Sequence, residues 1–370
     1  MRCVRLTLVA VLLLAVVATA HAQSVEQLRD QVRSLQDQLK AVMDKLQQME
    51  AKPAAPAPAA PAKTSWADRI TVSGYWHARY EARDNARDDF TFRRMYINFL
   101  GNLNDRTSII MNLCRVPLAN DPAIEFEAAQ VNYKLDDLWS VSFGQVYNNF
   151  GWDTWESSSK RLPLDRWAAG EGISGRPDRP AIRGLYFAGP TDRGMYVTRK
   201  GADMVPTVIL GLVNGNFRAA DNNDNKTYSL DLRWKQPWGQ FGASWMDGDY
   251  TETVAGAPVT NPRKALGLYV HTDPKPWGFQ AEFLDGELFG HDVQGWYGQV
   301  AYNKGGKATP YFRYEQYDTD RNSAGNTLMG FRAGCAYQLD KNNELTLEWH
   351  DADYGSSDYG QFGFQWQLGF

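Results

Sequence analysis

Cysteine and histidine are scarce in this chain, at three and five residues of 370. Cys114 and Cys335, the two outside the N-terminal segment, fall in candidate strands far apart in order and read as packing residues rather than a disulfide. Long apolar runs are absent beyond about residue 18, and mean hydropathy is negative, which excludes a helical membrane protein. Neither charge sign dominates, with 39 Lys and Arg against 43 Asp and Glu, so nucleic acid is excluded as a partner. Catalytic signatures are missing as well. There is no GxSxG, HExxH or phosphate loop, and His350-Asp351, the best candidate pair, reads more simply as a polar strand end. A barrel enzyme is therefore the remotest of the functional classes. "DTDRNSAGN" has the look of a calcium loop, but Ser323 stands where the tight turn needs Gly and no Glu closes it. No cofactor and no metal are expected.

What is present begins with an export signal. Arg2 and Arg5 precede an apolar stretch from Leu6 to about Ala18, closed by Ala20-His21-Ala22, so cleavage is expected after residue 22. Residues 23–50 carry heptads. Val25, Val32, Leu39 and Leu46 repeat every seven residues, as do Leu28, Leu35, Val42 and Met49 three positions later. That narrow seam, flanked by Gln, Asp and Lys, predicts a coiled coil and hence an oligomer rather than a lone amphipathic helix. Ser24 and Gln27 form a capping box at its start. Prolines every two or three residues then make 51–65 an extended spacer.

From Trp66 onward, residues 66–370 alternate large apolar with small or polar side chains in sixteen segments. The last is the clearest. Phe362, Phe364, Trp366, Leu368 and Phe370 alternate with glutamines and glycines. Tight connections follow the even-numbered segments and longer polar ones, including "ARDNARDD" and "TETVAGAPVTN", mostly follow the odd-numbered ones. Trp238 and Trp277 sit beside tight turns. A soluble β-sandwich needs neither the sorting nor the aromatic belt; an outer-membrane barrel needs both. The expected fold is all-β, a 16-stranded antiparallel transmembrane barrel facing lipid, with the N-terminal coiled coil in the periplasm. Its closing aromatic strand suits the signal read by barrel-assembly machinery.

Three stretches carry a resemblance: "FRRMYINFLGNL", "EAAQVNYKLDDLWSVSFGQVYNNFGWD" and "VILGLVNGN". In this order they resemble the phosphate-selective porin family, porins O and P. Gly144, Gln145, Phe150 and Gly151 match a Gly-Gln-Phe-Lys-x-Pro-Phe-Gly segment of that family, whereas Val146, Tyr147 and Asn149 replace its Phe, Lys and Pro. The resemblance implies a homotrimeric channel with anion-binding residues at a constriction. Residues 148–191 are the candidate constriction loop, with Lys160, Arg161, Arg166, Arg176, Arg179 and Arg183 as its cations. Strand alternation nominates Arg79, Arg94, Lys134, Arg233, Lys235, Arg263, Arg313 and Arg332 for the pore wall, opposed by Glu81, Asp231, Glu282, Glu315 and Glu348. The expected function is passive diffusion of small hydrophilic solutes, anions such as phosphate in particular. A general porin with a mixed lining is one alternative. A carbohydrate channel, with Trp152, Trp155 and Trp167 as a stacking track, is another.

Overall fold

The computed structural model describes Asp37, Lys40 and residues 66–84, 86–115, 124–173, 181–354 and 358–370. The leader, the spacer and all eight seam positions from Val25 to Met49 lie outside these residues, as do Arg176 and Arg179. After a 3-10 turn at Trp66–Arg69 come seventeen strand segments. They are β1 (Ile70–Arg83), β2 (Asp89–Asn102), β3 (Thr107–Arg115), β4 (Glu125–Lys134), β5 (Trp139–Tyr147) and β6 (Thr191–Arg199). Then follow β7 (Thr207–Val213), β8 (Thr227–Gln236), β9 (Gly239–Asp247), β10 (Asp249–Val254), β11 (Ala257–His271) and β12 (Trp277–Leu288). The last are β13 (His291–Tyr302), β14 (Ala308–Asp318), β15 (Thr327–Gln338), β16 (Asn343–Tyr354) and β17 (Asp358–Gly369).

Neighbouring strands pair antiparallel throughout, and β1 pairs with β17 through Arg79↔Gln365 and its flanking positions, so the sheet closes. β9 and β10 are one wall strand interrupted at Gly248, since both pair in sequence with β11 (Ala265↔Met246, Asp249↔Pro262). The wall therefore has sixteen strands. Closure leaves no exposed strand edge, which is what a sheet surrounded by apolar medium requires.

Alternation sets the two faces. Along β1, Tyr75, His77, Arg79 and Glu81 are buried inside while Trp76 is exposed outside. On the closing strand Phe362, Trp366, Leu368 and Phe370 are exposed and Gln361 and Gln365 are buried; Phe364 is half-buried. Short turns at one rim follow from side-chain chemistry. The Oδ1 atoms of Asn104, Asp136 and Asp340 each accept two backbone N–H groups just ahead, at 2.7–3.0 Å.

One connection departs from expectation. "TETVAGAPVTN" is not a long polar loop but a hairpin extending β9–β11, turned at Ala255 and Gly256, which both take positive φ (50° and 85°). Its β-branched Thr and Val residues keep the pairing, and the hydroxyls of Thr251 and Thr260 meet across it at 2.8 Å.

Candidate functional site

The segment between β5 and β6 folds into the barrel. Its neck is closed by a bond from the Asn148 N–H to the Pro190 carbonyl at 2.8 Å. Midway lies a single helical turn, α1 (Ala168–Glu171). The segment carries its own apolar face: Phe150, Trp167, Ala168, Ala169, Leu185 and Tyr186 are all buried, and they pack on inward-facing Leu284, Leu288, Val293, Tyr297, Tyr317 and Leu328. Each leucine, valine or phenylalanine among them removed from water contributes about 1.5–3 kcal/mol. Close approach depends on Gly295, where a Cβ would stand 2.8 Å from that of Ala169.

Three glutamates nominated for the pore wall hold this loop instead. Glu282 accepts the N–H groups of Trp152 and Asp153 at 3.2 and 3.0 Å, Glu348 that of Leu164 at 3.1 Å, and Glu315 that of Ala168 at 3.0 Å. Irregular backbone inside a barrel needs such acceptors, and carboxylates are strong ones.

The nominated arginines are likewise engaged. Arg79 binds Glu81 at 3.2 Å and Asp165 at 2.9 Å. Arg313 binds Asp153 at 3.1 Å with neither side chain exposed. Arg332 bridges Glu315 and Glu348 at 3.2 and 3.3 Å. Arg263, fully buried, faces Asp192 at 3.6 Å and lies over the Phe217 ring. Arg233 pairs with Asp231, donates to the Asn149 Oδ1 at 2.8 Å and covers the Trp155 ring at 4.4 Å. Arg161 donates to the Pro163 and Leu164 carbonyls of its own loop. Burial and then the adjacent Arg166 pull its pKa down to about 9. Arg183 reaches Glu252 on the hairpin at 2.9 Å. Lys134 and Lys235 are exposed next to the short turns and line neither cavity described below.

Two cavities flank the loop. One, about 420 Å³, lies against β1–β5 and is lined by Tyr75, Tyr96, Asn98, Asn112, Glu127 and Tyr147 of the wall together with Arg94, Arg166, Glu171 and Arg218. Arg94 reaches Ser158 and the Glu171 carboxylate (3.2 Å), which Arg166 also approaches at 3.6 Å. Burial alone would raise the Glu171 carboxyl, but Arg94 and then Arg166 hold it at about 2. The other cavity, about 530 Å³, is lined by Trp152, Lys160, His271, Asp273, Gln280 and Gln299 among others, near the short turns after β11 and β13. Trp155, Glu156 and Ser157 line both.

The geometry does not favour a sugar-stacking track. Trp167 is 1% exposed, His271 stacks on Trp152 at 3.9 Å, and Arg233 covers Trp155.

Strict alternation misses two lumen residues because the wall has bulges. The β1–β2 register slips between His77 and Ala78, leaving Arg93 unpaired, and Arg93 reaches inward to Asp165 at 3.0 Å beside Arg94. A second slip between Asn112 and Leu113 frees Glu127, which accepts from the Tyr147 hydroxyl at 3.1 Å. Tyr147, standing where the resemblance has Lys, also accepts from Asn112 at 2.9 Å. The only trace of these bulges in sequence is a break of alternation at Arg93-Arg94 and at Phe126-Glu127. Arg218, beyond β7, had no signal in sequence.

Comparisons with known proteins agree with this architecture. A family model described as phosphate-selective porin O and P matches residues 73–257. A search of curated proteins finds no match. Among solved structures, OmpT of Vibrio cholerae in its trimer form superposes with a TM-score of 0.56 at 10% identity, covering 81% of this chain and 99% of that one. Salmonella typhi OmpF in complex with daunomycin gives 0.57 at 12% identity, with 81% and 97% covered. The anion-selective porin of Comamonas acidovorans gives 0.57 at 13% identity, with 81% and 99% covered. At such identities these likenesses speak for the fold, whereas the family model spans half the chain. A closed sixteen-strand barrel, a loop folded into its lumen and that match together make the chain a member of the phosphate-selective porin O and P family, an outer-membrane channel rather than an enzyme.

Proposed function

We propose that the protein is a trimeric, water-filled channel through which small hydrophilic solutes diffuse passively, with anions such as phosphate preferred over cations by a small margin. The observation that carries this reading is the 420 Å³ cavity left between the inward loop and β1–β5, with Arg94, Arg166 and Arg218 facing Glu127, Glu156 and Glu171. Positive charge in a narrow low-dielectric passage favours anions. Here the effect is blunted, because Arg94 and Arg166 share Glu171 and Arg218 pairs with Glu125 at 2.7 Å. An opposed lining of this kind sets up a transverse field that small polar solutes cross more easily than large apolar ones.

The heptad seam of residues 23–50 supports assembly into an oligomer from the periplasmic side, the family resemblance supports three copies, and the aromatic closing strand supports insertion by barrel-assembly machinery into outer-membrane lipid. A neighbour with a trimer form and another described as anion-selective point the same way.

Purified protein in planar bilayers should give conductance steps in groups of three and a reversal potential in a KCl gradient displaced modestly toward chloride. Phosphate should compete with chloride more than maltodextrin blocks the current. Absence of steps would sink the channel, and a cation-selective reversal potential would sink the anion margin.

A further inference from the structure

We propose that Glu156 is the residue that sets the ion preference of the channel, a reading that rests on the channel function above. Three adjacent residues, Trp155, Glu156 and Ser157, line both cavities, and Glu156 is the acid among them. Glu156 thus stands on the divide between the cavity beside β1–β5 and the one near the short turns.

The carboxylate is held for a purpose other than anchoring. Glu282, Glu315 and Glu348 each accept a backbone N–H of the loop, whereas Glu156 Oε2 is buried with no hydrogen-bond partner among the described residues. The bonds that fix Glu156 run through its backbone instead. Its N–H donates to the Trp152 carbonyl at 3.1 Å, and its carbonyl accepts from Arg166 at 2.8 Å. Removing the charge leaves those bonds in place.

The groups acting on Glu156 come from the loop and from several wall strands, Tyr297 of β13 among them. Asp153, Arg161 and Arg166 belong to the loop, and Arg313 to β14. Lys160, His271 and Asp273 share one cavity with it, and Glu171, Glu127, Tyr147, Arg94 and Arg218 the other. Burial first, and then Asp153, raise its carboxyl above the ordinary carboxylate range despite these arginines. Glu171 is held at about 2. On acidification Glu156 thus loses its charge while Glu171 keeps its own, and the passage turns more positive.

The test is the reversal potential in a KCl gradient, at low salt where screening is weak. One unit charge about 4 Å from a passing ion is worth roughly a fivefold change in its local concentration even in a watery lumen. Glu156→Gln should raise the chloride-to-potassium permeability ratio by about 25-fold at neutral pH, a factor of about five from each ion. Wild type should move toward the ratio of Glu156→Gln as pH falls, and the variant, which keeps His271, Asp273 and Glu127, should move less than half as far over the same range. Asp273→Asn, at an exposed position of the cavity near the short turns, should change the ratio by less than half as much. A folded, conducting Glu156→Gln channel with the wild-type ratio and pH profile would overturn the assignment. Wild type without any conductance would instead overturn the channel reading. Folding of the variant is checked by its denaturant midpoint in detergent, which should hold or rise because a buried carboxylate with an unpartnered oxygen is gone.

Discussion

The two sides of the barrel interior were built for different tasks. Against β9–β17 the inward face is apolar where the loop seats, with Leu284, Leu288, Val293, Tyr297 and Leu328 buried under Trp167 and Tyr186. Buried ion pairs such as Arg313–Asp153 close the space around that seat, and the 530 Å³ cavity is left only toward the short turns. Against β1–β5 the inward face stays polar, and Asn98, Asn112, Glu127, Tyr147 and Arg94 border open volume. The difference teaches that inward-pointing charge is not pore-lining charge. Most of the nominated arginines serve the seat of the loop, and among the described ones Arg94 and Arg166 border the cavity beside β1–β5.

The largest break in this comparison should come from the filled side. Arg313→Met leaves Asp153 buried without its main partner and should cost about 3–5 kcal/mol. It should be read as a lower denaturant midpoint in detergent and as a noisier, larger single-channel conductance from a loosened loop. Leu284→Ala, which opens a void under the loop but strands no charge, should cost about 2–4 kcal/mol in the same assay. An equal or larger loss from an open-side change such as Asn98→Ala would contradict the division.

Acid titration sharpens the contrast further. Glu171 titrates near 2 in the folded protein against 4.5 ordinarily, so its contribution is fully present above about pH 4.5 and is lost as pH falls toward about 2. Protease protection of the loop should decline over that window and should be insensitive to pH there in Glu171→Gln. The smallest effect belongs to Lys134→Gln and Lys235→Gln, exposed at the rim of short turns. Each should change stability by no more than about 0.5 kcal/mol and leave the KCl reversal potential near its wild-type value.

The wall was legible in the sequence because a pleated strand repeats every two residues and lipid demands one apolar face. Phe362, Trp366 and Leu368 on the closing strand were therefore placed correctly outside, and the tight turns at Asn104 and Asp136 could be read from their side chains. The hairpin at Thr251–Thr260 was not, because its threonines read as loop polarity until paired. Arg93 and Glu127 were hidden for a different reason. A bulge is a relation between two strands, so neither strand alone announces it.

By itself the sequence determined a closed, sixteen-strand wall, its inner and outer faces and the site of the long loop, since each is written in local periodicity or composition. Only the tertiary structure decided which charges meet water. Ion pairing joins residues more than a hundred positions apart, as with Arg313 and Asp153, and no local pattern records which guanidinium will find which carboxylate once the loop folds in.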